Sequence, residues 1–287
     1  MIRRSWRQLS INVSESYQDL LVGILTPLGF VGFLQEKENL SCFMPTHSWS
    51  PLLQKKFHDI LQRFKSEFPS LRLTHTFRLV KDNNWNKSWE KRTRIVEVTP
   101  RIIIKPSWSK LSRKHKNKLV LHIDPKMSFG TGHHETTRLS LALLEQYLQP
   151  GMKVLDFGCG TGILGIAAIR LGAHSAISID NDPWAIMNTK ENARRNGVLR
   201  EMKILDGDIS AIPRKKFNLI ISNIDYHTIF RYMKSLANLL GNDGIIIISG
   251  ILTNNVHEIL KMSNKFHLKS IEVQNDNEWS AIAFKRK

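Results

Sequence analysis

The stretch VLDFGCGTGILG, Val154 to Gly165, decides the fold. Apolar residues lead into it, glycines stand at 158, 160 and 162, and an apolar run resumes at Ile163. That is the pattern of a buried strand, a tight glycine loop and a helix. Glycines let the backbone turn sharply and let a ligand come close to it. A dinucleotide loop would read G-x-G-x-x-G, but position 163 is Ile and the third glycine, Gly162, comes one residue early. A P-loop would need Gly-Lys-Ser/Thr, which the stretch lacks. The loop is therefore not tuned to a pyrophosphate.

Working outward, strands and helices alternate on both sides. Helix TTRLSLALLEQYL precedes strand KVLDFG; helix ILGIAAIRLG leads to strand SAISID, and PWAIMNTKENARRNG to strand MKILDGD. Strand FNLIISN, helix HTIFRYMKSLANLLG, strand GIIIISG and helix LTNNVHEILKMSN follow, then strands HLKSIEVQ and EWSAIAFK. Such alternation predicts a doubly wound, mostly parallel α/β sheet of seven strands with helices on both faces. The last two strands are joined only by NDN, too short for a parallel crossover, so the final strand is antiparallel.

Open α/β sheets bind ligands beyond the carboxyl ends of their strands. Asp156, two residues before Gly158, suits a cationic ligand without phosphates. The sulfonium and amino group of S-adenosylmethionine fit that description. Asp180 ends the second strand, where a carboxylate accepts hydrogen bonds from ribose hydroxyls. Asp182 is its neighbour, with helix capping before Pro183 as its simpler role. Asp206 and Asp208 follow the third strand, where an adenine amino group would be met or a plain turn made. Asn223 ends the fourth strand, placed either to accept a hydrogen bond from an amine or to cap the next helix.

The first eighty residues run strand, helix, strand, strand, helix, strand, the split βαβ order of a ferredoxin-like α+β unit. Ser14 is a candidate cap for its first helix, Gly29 stops that helix, and Pro51 opens the second. The expected division is residues 1–80 as the small domain, 81–110 as a linker and 111–287 as the ligand-binding domain. The linker carries Trp85, Trp89 and Trp108, expected to pack an interdomain seam or else to contact substrate directly.

With 287 residues and 41% hydrophobic content, the chain supports a sizeable core. Its basic start lacks a continuous apolar region, so no secretory leader is expected, and no run is long enough to span a bilayer. Two widely separated cysteines, Cys42 and Cys159, point to a reducing compartment, hence the cytoplasm. The net charge of +17 favours an anionic partner such as an rRNA or ribosome surface; a composition biased to Lys, Asn and Ile explains it equally. The densest basic run is SKLSRKHKNKLV, Ser109 to Val120, either a solvated loop or an RNA contact.

A second glycine segment, SFGTGHHETTRLS, runs from Ser128 to Ser140. Arg138 stands where a zincin H-E-x-x-H would place its second histidine. The adjacent pair His133 and His134 also cannot share one helix face, and no cysteine cluster completes a site, so no metal is expected.

These residues resemble the class I S-adenosylmethionine-dependent methyltransferases, and more closely the ribosomal protein L-eleven methyltransferases, the PrmA type. The resemblance covers nearly the whole chain. It is carried by WNKSWEK, IIIKPSW, IDPKMSFGTGHHETT, VLDFGCGTGILGIAAIRLGA, IDNDPWAI, ENARRNGV and ISGIL. It implies a Rossmann-like methyltransferase domain, an N-terminal ferredoxin-like domain that recognises substrate, and S-adenosylmethionine as methyl donor. The implied reaction methylates lysine ε-amino groups, an N-terminal α-amino group, or both, on a large-subunit ribosomal protein, by a monomeric enzyme. The cofactor-binding threonine falls on Thr137, with Phe129 and Gly130 in the same segment, which is expected to form a lid over the methionine end. Gly158, Gly160, Gly162, Asp156, Asp180, Asp208 and Asn223 complete the implied cofactor site, and Asn223 is the implied catalytic residue that orients the amine.

Two departures stand out. His133 and Glu135 flank a position where relatives usually read Thr-His-Pro, and Asp225 and Tyr226 follow Asn223 where they usually read Ile-Leu-Ala. Candidate proton acceptors are Asp225, His134 and His227. The alternatives are an RNA methyltransferase, whose Asn-Pro-Pro-Tyr signature is absent from SNIDY, and a non-catalytic protein of the same fold.

Overall fold

The computed structural model describes residues 5–69, 71, 73–81, 95–124 and 128–286. The chain divides into two compact units, Met1–Arg92 and Thr93–Lys287. Trp85 and Trp89, with the segment WNKSWEK, lie outside the described residues.

The first unit contains β1 (Ser5–Asn12), α1 (Gln18–Leu25), β2 (Gly32–Glu36), β3 (Asn39–Pro45), α2 (Pro51–Glu67) and β4 (Thr74–Lys81). Its sheet has the order β2-β3-β1-β4, antiparallel throughout, which is the ferredoxin-like arrangement. Leu9 and Ile11 of β1, Leu21 and Leu25 of α1, and Phe57, Leu61 and Phe64 of α2 form its core. Ser50 caps α2 by accepting from the Leu53 N–H at 3.2 Å, and Pro51 follows, where its missing N–H costs no helical bond. Gly29 takes φ +90 just past a 3₁₀ turn that extends α1, a backbone state that glycine adopts without strain. Ser14 does not cap α1. It precedes a separate 3₁₀ turn, Glu15–Tyr17, and its side chain makes no cap bond.

The second unit begins with a three-stranded sheet, β5 (Val96–Glu97), β6 (Ile102–Lys105) and β7 (Leu119–His122), in the order β5-β6-β7. Its first two strands fall within residues 81–110, the expected linker. They fold with the second unit because Ile102 and Ile104 are buried in the same core as Leu141, Leu144 and Ile166. Trp108, on the loop after β6, is exposed. The basic run is partly neutralised: Lys114 and Lys118 each reach Glu97 at 2.8 Å, and their hydrogen bonds hold its carboxyl down at about 2.

The large sheet comprises β8 (Lys153–Phe157), β9 (Ser175–Asp180), β10 (Met202–Asp206), β11 (Phe217–Asn223), β12 (Leu240–Leu252), β13 (Leu268–Asp276) and β14 (Trp279–Arg286). Its order is β10-β9-β8-β11-β12-β14-β13, with β14 antiparallel to both neighbours and the other pairings parallel. Strand side chains alternate between faces. Val154, Leu219, Ile221 and Ile247 therefore meet α3 (Glu135–Tyr147), α4 (Ile163–Arg170) and α5 (Pro183–Arg195) in one core. Leu155, Ile220 and Ile246 meet α6 (Tyr226–Leu239) and α7 (Val256–Asn264) in another. The strand order reverses between β8 and β11, which opens a crevice beyond their carboxyl ends. Among the described residues no helix is long and apolar enough to cross a membrane.

Candidate active site

A cavity of about 580 Å³ lies at that crevice. Phe157 and Gly158 at the end of β8, Asp180 and Asn181 at the end of β9, Gly207 and Asp208 after β10, and Asn223 to Asp225 at the end of β11 line it. Gly160, Phe129, His134 and Trp279 close further sides.

The glycine loop is built by hydrogen bonds from its own backbone. The N–H groups of Gly158 and Cys159 both donate to the Ile179 carbonyl, at 2.9 and 3.0 Å. The Gly160 N–H donates to Asp180 Oδ2 at 2.9 Å, while Oδ1 accepts from the Asp182 N–H at 3.0 Å. Asp180 is thus held rigid at the cavity wall, and a carboxylate has lone pairs to spare after two such bonds. Gly160 has φ +56, and a Cβ there would lie 2.4 Å from the Phe129 carbonyl oxygen. The two glycine segments are one structure: the Thr161 N–H donates to Phe129 O at 2.9 Å and the Thr161 hydroxyl to Gly130 O at 2.7 Å.

At the end of β11, Asn223 keeps its Oδ1 buried with no hydrogen-bond partner among the described residues. The helix cap that would have explained this asparagine belongs to Asp225, whose Oδ1 accepts from the Thr228 N–H at 3.1 Å at the start of α6. Thr137 is fully buried near the start of α3, and its Oγ1 is likewise without a partner. Buried polar atoms are normally paired, so the unpaired Asn223 acceptor on the cavity wall marks where a ligand's donor belongs. Among the described residues, the acidic side chains lining the cavity are Asp180, Asp208 and Asp225, and no Lys or Arg lines it. A close-approach glycine cradle, carboxylates and an orphaned acceptor fit a cationic adenosyl sulfonium.

Residues 5–287 match the family described as ribosomal protein L11 methyltransferase (PrmA). The chain belongs to that family. A relative from Caldicellulosiruptor bescii, named ribosomal protein L11 methyltransferase, is 32% identical over 98% of this chain and 99% of its own. One of the same name from Porphyromonas gingivalis is 34% identical over 94% of this chain and 91% of its own. The crystal structure of a ribosomal protein L11 methylase from Lactobacillus delbrueckii subsp. bulgaricus gives a TM-score of 0.64 at 27% identity, over 68% of this chain and 99% of that one. This PrmA-family chain is a protein methyltransferase that uses S-adenosylmethionine.

Not every residue expected to touch the cofactor reaches the PrmA-family cavity. Asp156 is fully buried beneath the loop, where its Oδ2 accepts from the Gly165 N–H at 3.0 Å and the Ser178 hydroxyl at 3.3 Å. It braces the strand-to-helix turn, and burial pushes its carboxyl up to about 7. Gly162 opens α4 with φ +80, and a Cβ there would strike Thr189 at 2.7 Å. Thr137, Gly130, Asp156 and Gly162 are all absent from the cavity lining. Asp182 caps α5 by accepting from the Trp184 N–H at 2.9 Å. Asp208 lines the cavity and also accepts from Ser210, whose hydroxyl and N–H hold its carboxyl below the usual range.

The departures His133 and Glu135 lie off the cavity too. Glu135 pairs with Arg138 at 3.4 Å, Arg138 reaches Asp276 at 2.6 Å, and Asn277 donates to Glu135 at 3.3 Å. The first turn of α3 is thereby tied to the β13–β14 turn. His134 caps α3 through its Nδ1, and its ring packs edge-on against Phe129 at 5.3 Å and Trp279 at 5.0 Å. Among the proton-acceptor candidates, Asp225 is engaged in the cap and held below the usual carboxylate range, first by the Thr228 side chain. His227 does not line the cavity.

Sequence reasoning missed Phe157, Ile179, Ile224, Tyr232, Gly250 and Trp279, all of which line the cavity. Gly250 carried a signal in ISGIL: it has φ +85, and a Cβ there would lie 2.3 Å from the Ile224 carbonyl oxygen. Among the described residues no group of three or more His, Cys, Asp or Glu is placed to hold a metal ion.

Proposed function

We propose that the protein transfers methyl groups from S-adenosylmethionine to amino groups of ribosomal protein L11, on lysine side chains, the N-terminus or both. The observation that carries this reading is the uncapped, buried Oδ1 of Asn223 at the rim of the crevice that Asp180 and the glycine loop also form.

When bound, S-adenosylmethionine supplies a methyl group on a positively charged sulfur that leaves as a neutral thioether. Asp180 holds the ribose hydroxyls, and Gly158 and Gly160 let the loop backbone approach the ligand. Asp208 meets the adenine end. Phe129, with Gly130 behind it, would cover the methionine end, and Thr137, buried behind the cavity wall with its hydroxyl unpaired, would support that end. Asp156 and Gly162 shape the turn from beneath. Asn223 Oδ1 would accept a hydrogen bond from the acceptor amine and orient its lone pair for methyl transfer, so the main contribution to rate would be alignment. An amine with a pKa of about 10.4 must first shed a proton, which desolvation in the cavity favours and water accepts.

Residues 1–80 serve as the substrate-recognition domain. The enzyme acts as a monomer in the cytoplasm, and its excess of basic residues lets it approach an rRNA surface. Intact-mass measurement of recombinant L11 after incubation with the protein and S-adenosylmethionine tests the reading. Successive one-methylene mass increments on L11 support it; unmodified L11 beside labelled rRNA would refute it.

A further inference from the structure

Asp225 stands two residues after Asn223 and lines the same cavity, exposed at its rim. Its carboxylate, with about four lone-pair positions, pairs with the Thr228 N–H, the Thr228 side chain and the His227 N–H, which leaves room for one further donor. Of the other carboxylates lining the cavity, Asp180 is bound by the N–H groups of Gly160 and Asp182 at the end of β9, and Asp208 by Ser210 after β10. Asp225 is the carboxylate that follows β11, on the side of Asn223. Among the described residues no lysine or arginine pairs with it: His227 is the neighbouring charged group on α6, and Arg231 acts on Asp208. From α7, Glu258 accepts from the Tyr226 hydroxyl. His134 and Tyr232 also line the cavity.

A protein of net charge +17 repels a cationic acceptor at long range. A carboxylate at the rim reverses that field where the acceptor must enter.

We propose that Asp225 is a specificity-determining residue that receives the acceptor as an ammonium ion at the rim of the cavity, so that the enzyme selects basic amines over neutral acceptors. This rests on the reading of the site as an amine methyltransferase. The binding has a cost in chemistry, since a carboxylate that holds an ammonium also resists its deprotonation. Asp225 therefore lowers KM and moves the rise of kcat to higher pH.

The substitution Asp225→Asn removes the charge and keeps a residue that caps helices well. With L11 as acceptor, the variant shows a KM raised on the order of tenfold, a kcat profile displaced to lower pH, and an unchanged Kd for S-adenosylmethionine. An unchanged KM and pH profile would overturn the proposal, and a stability loss confined to Asp225→Ala would then reduce Asp225 to a helix cap. A second measurement needs no protein substrate. Ligand-observed NMR on the protein saturated with S-adenosylhomocysteine compares n-butylammonium with neutral n-butanol. The wild type binds the ammonium about tenfold more tightly than Asp225→Asn does, while butanol does not distinguish the two. Equal ammonium binding, including none, overturns the proposal. Should the wild type leave L11 unmethylated while the ammonium contrast holds, the substrate reading fails and the role of Asp225 stands.

Discussion

The Thr161 hydroxyl donates to the Gly130 carbonyl at 2.7 Å, and both residues are buried. This bond, with the backbone bond from Thr161 to Phe129, fastens the lid segment to the glycine loop. Thr161→Val keeps the volume and strands the Gly130 carbonyl, a loss of about 1–3 kcal/mol. The variant melts at lower temperature and binds S-adenosylmethionine more weakly, as calorimetry of the two properties will record. Unaltered affinity would mean that the lid is held by other contacts.

Gly160 cannot accept a side chain. With φ +56 and the Phe129 oxygen 2.4 Å from its would-be Cβ, Gly160→Ala pushes the lid off the loop. We expect loss of measurable S-adenosylmethionine binding in a protein that still folds. Gly151→Ala is the control: it has φ +85 but nothing within 4 Å of its would-be Cβ, so it tests backbone strain without a clash and leaves binding intact.

Asp156 makes stability depend on pH in a defined direction. Its carboxyl is raised by burial from 3.8 to about 7, so between those values the folded protein binds more protons than the unfolded chain. Stability from this group is fully present at the acid end of that window and is lost as pH rises through it. Urea denaturation of the wild type and Asp156→Asn across the window measures the difference in unfolding free energy, which falls with rising pH. A difference independent of pH would show that Asp156 is ionised throughout.

Both thiols are shielded. Cys42 and Cys159 are buried; burial pushes Cys42 up to about 12 and raises Cys159 as well. A thiol-reactive dye modifies neither in the native protein and both in denaturant, although Cys159 lies within the glycine loop. Fast native labelling of Cys159 would show that the loop opens.

The parts of the fold written as local periodicity were readable in advance. The alternation around VLDFGCGTGILG specified the parallel sheet, and the short NDN turn specified the antiparallel final strand, because both depend on neighbours in sequence. Residues 95–110 were harder. Their strands are stabilised by packing Ile102 and Ile104 against helices that begin far along the chain. In the site, Asp180 and Asn223 stood out because each is a polar residue ending an apolar strand. Trp279 gave no such sign: it opens β14, pairs with Leu252, and meets His134 only through the three-dimensional fold. Asp156 shows the reverse case, a polar residue beside the loop whose hydrogen bonds point into the core.

In the proposed reaction Asn223 aligns the acceptor amine while other residues hold the methyl donor. The most direct test is Asn223→Ala, with S-adenosylmethionine affinity measured by calorimetry and methyl transfer to L11 measured under saturating donor. Retained donor affinity with turnover lower by about a hundredfold or more is the predicted result. Turnover equal to that of the wild type would contradict it.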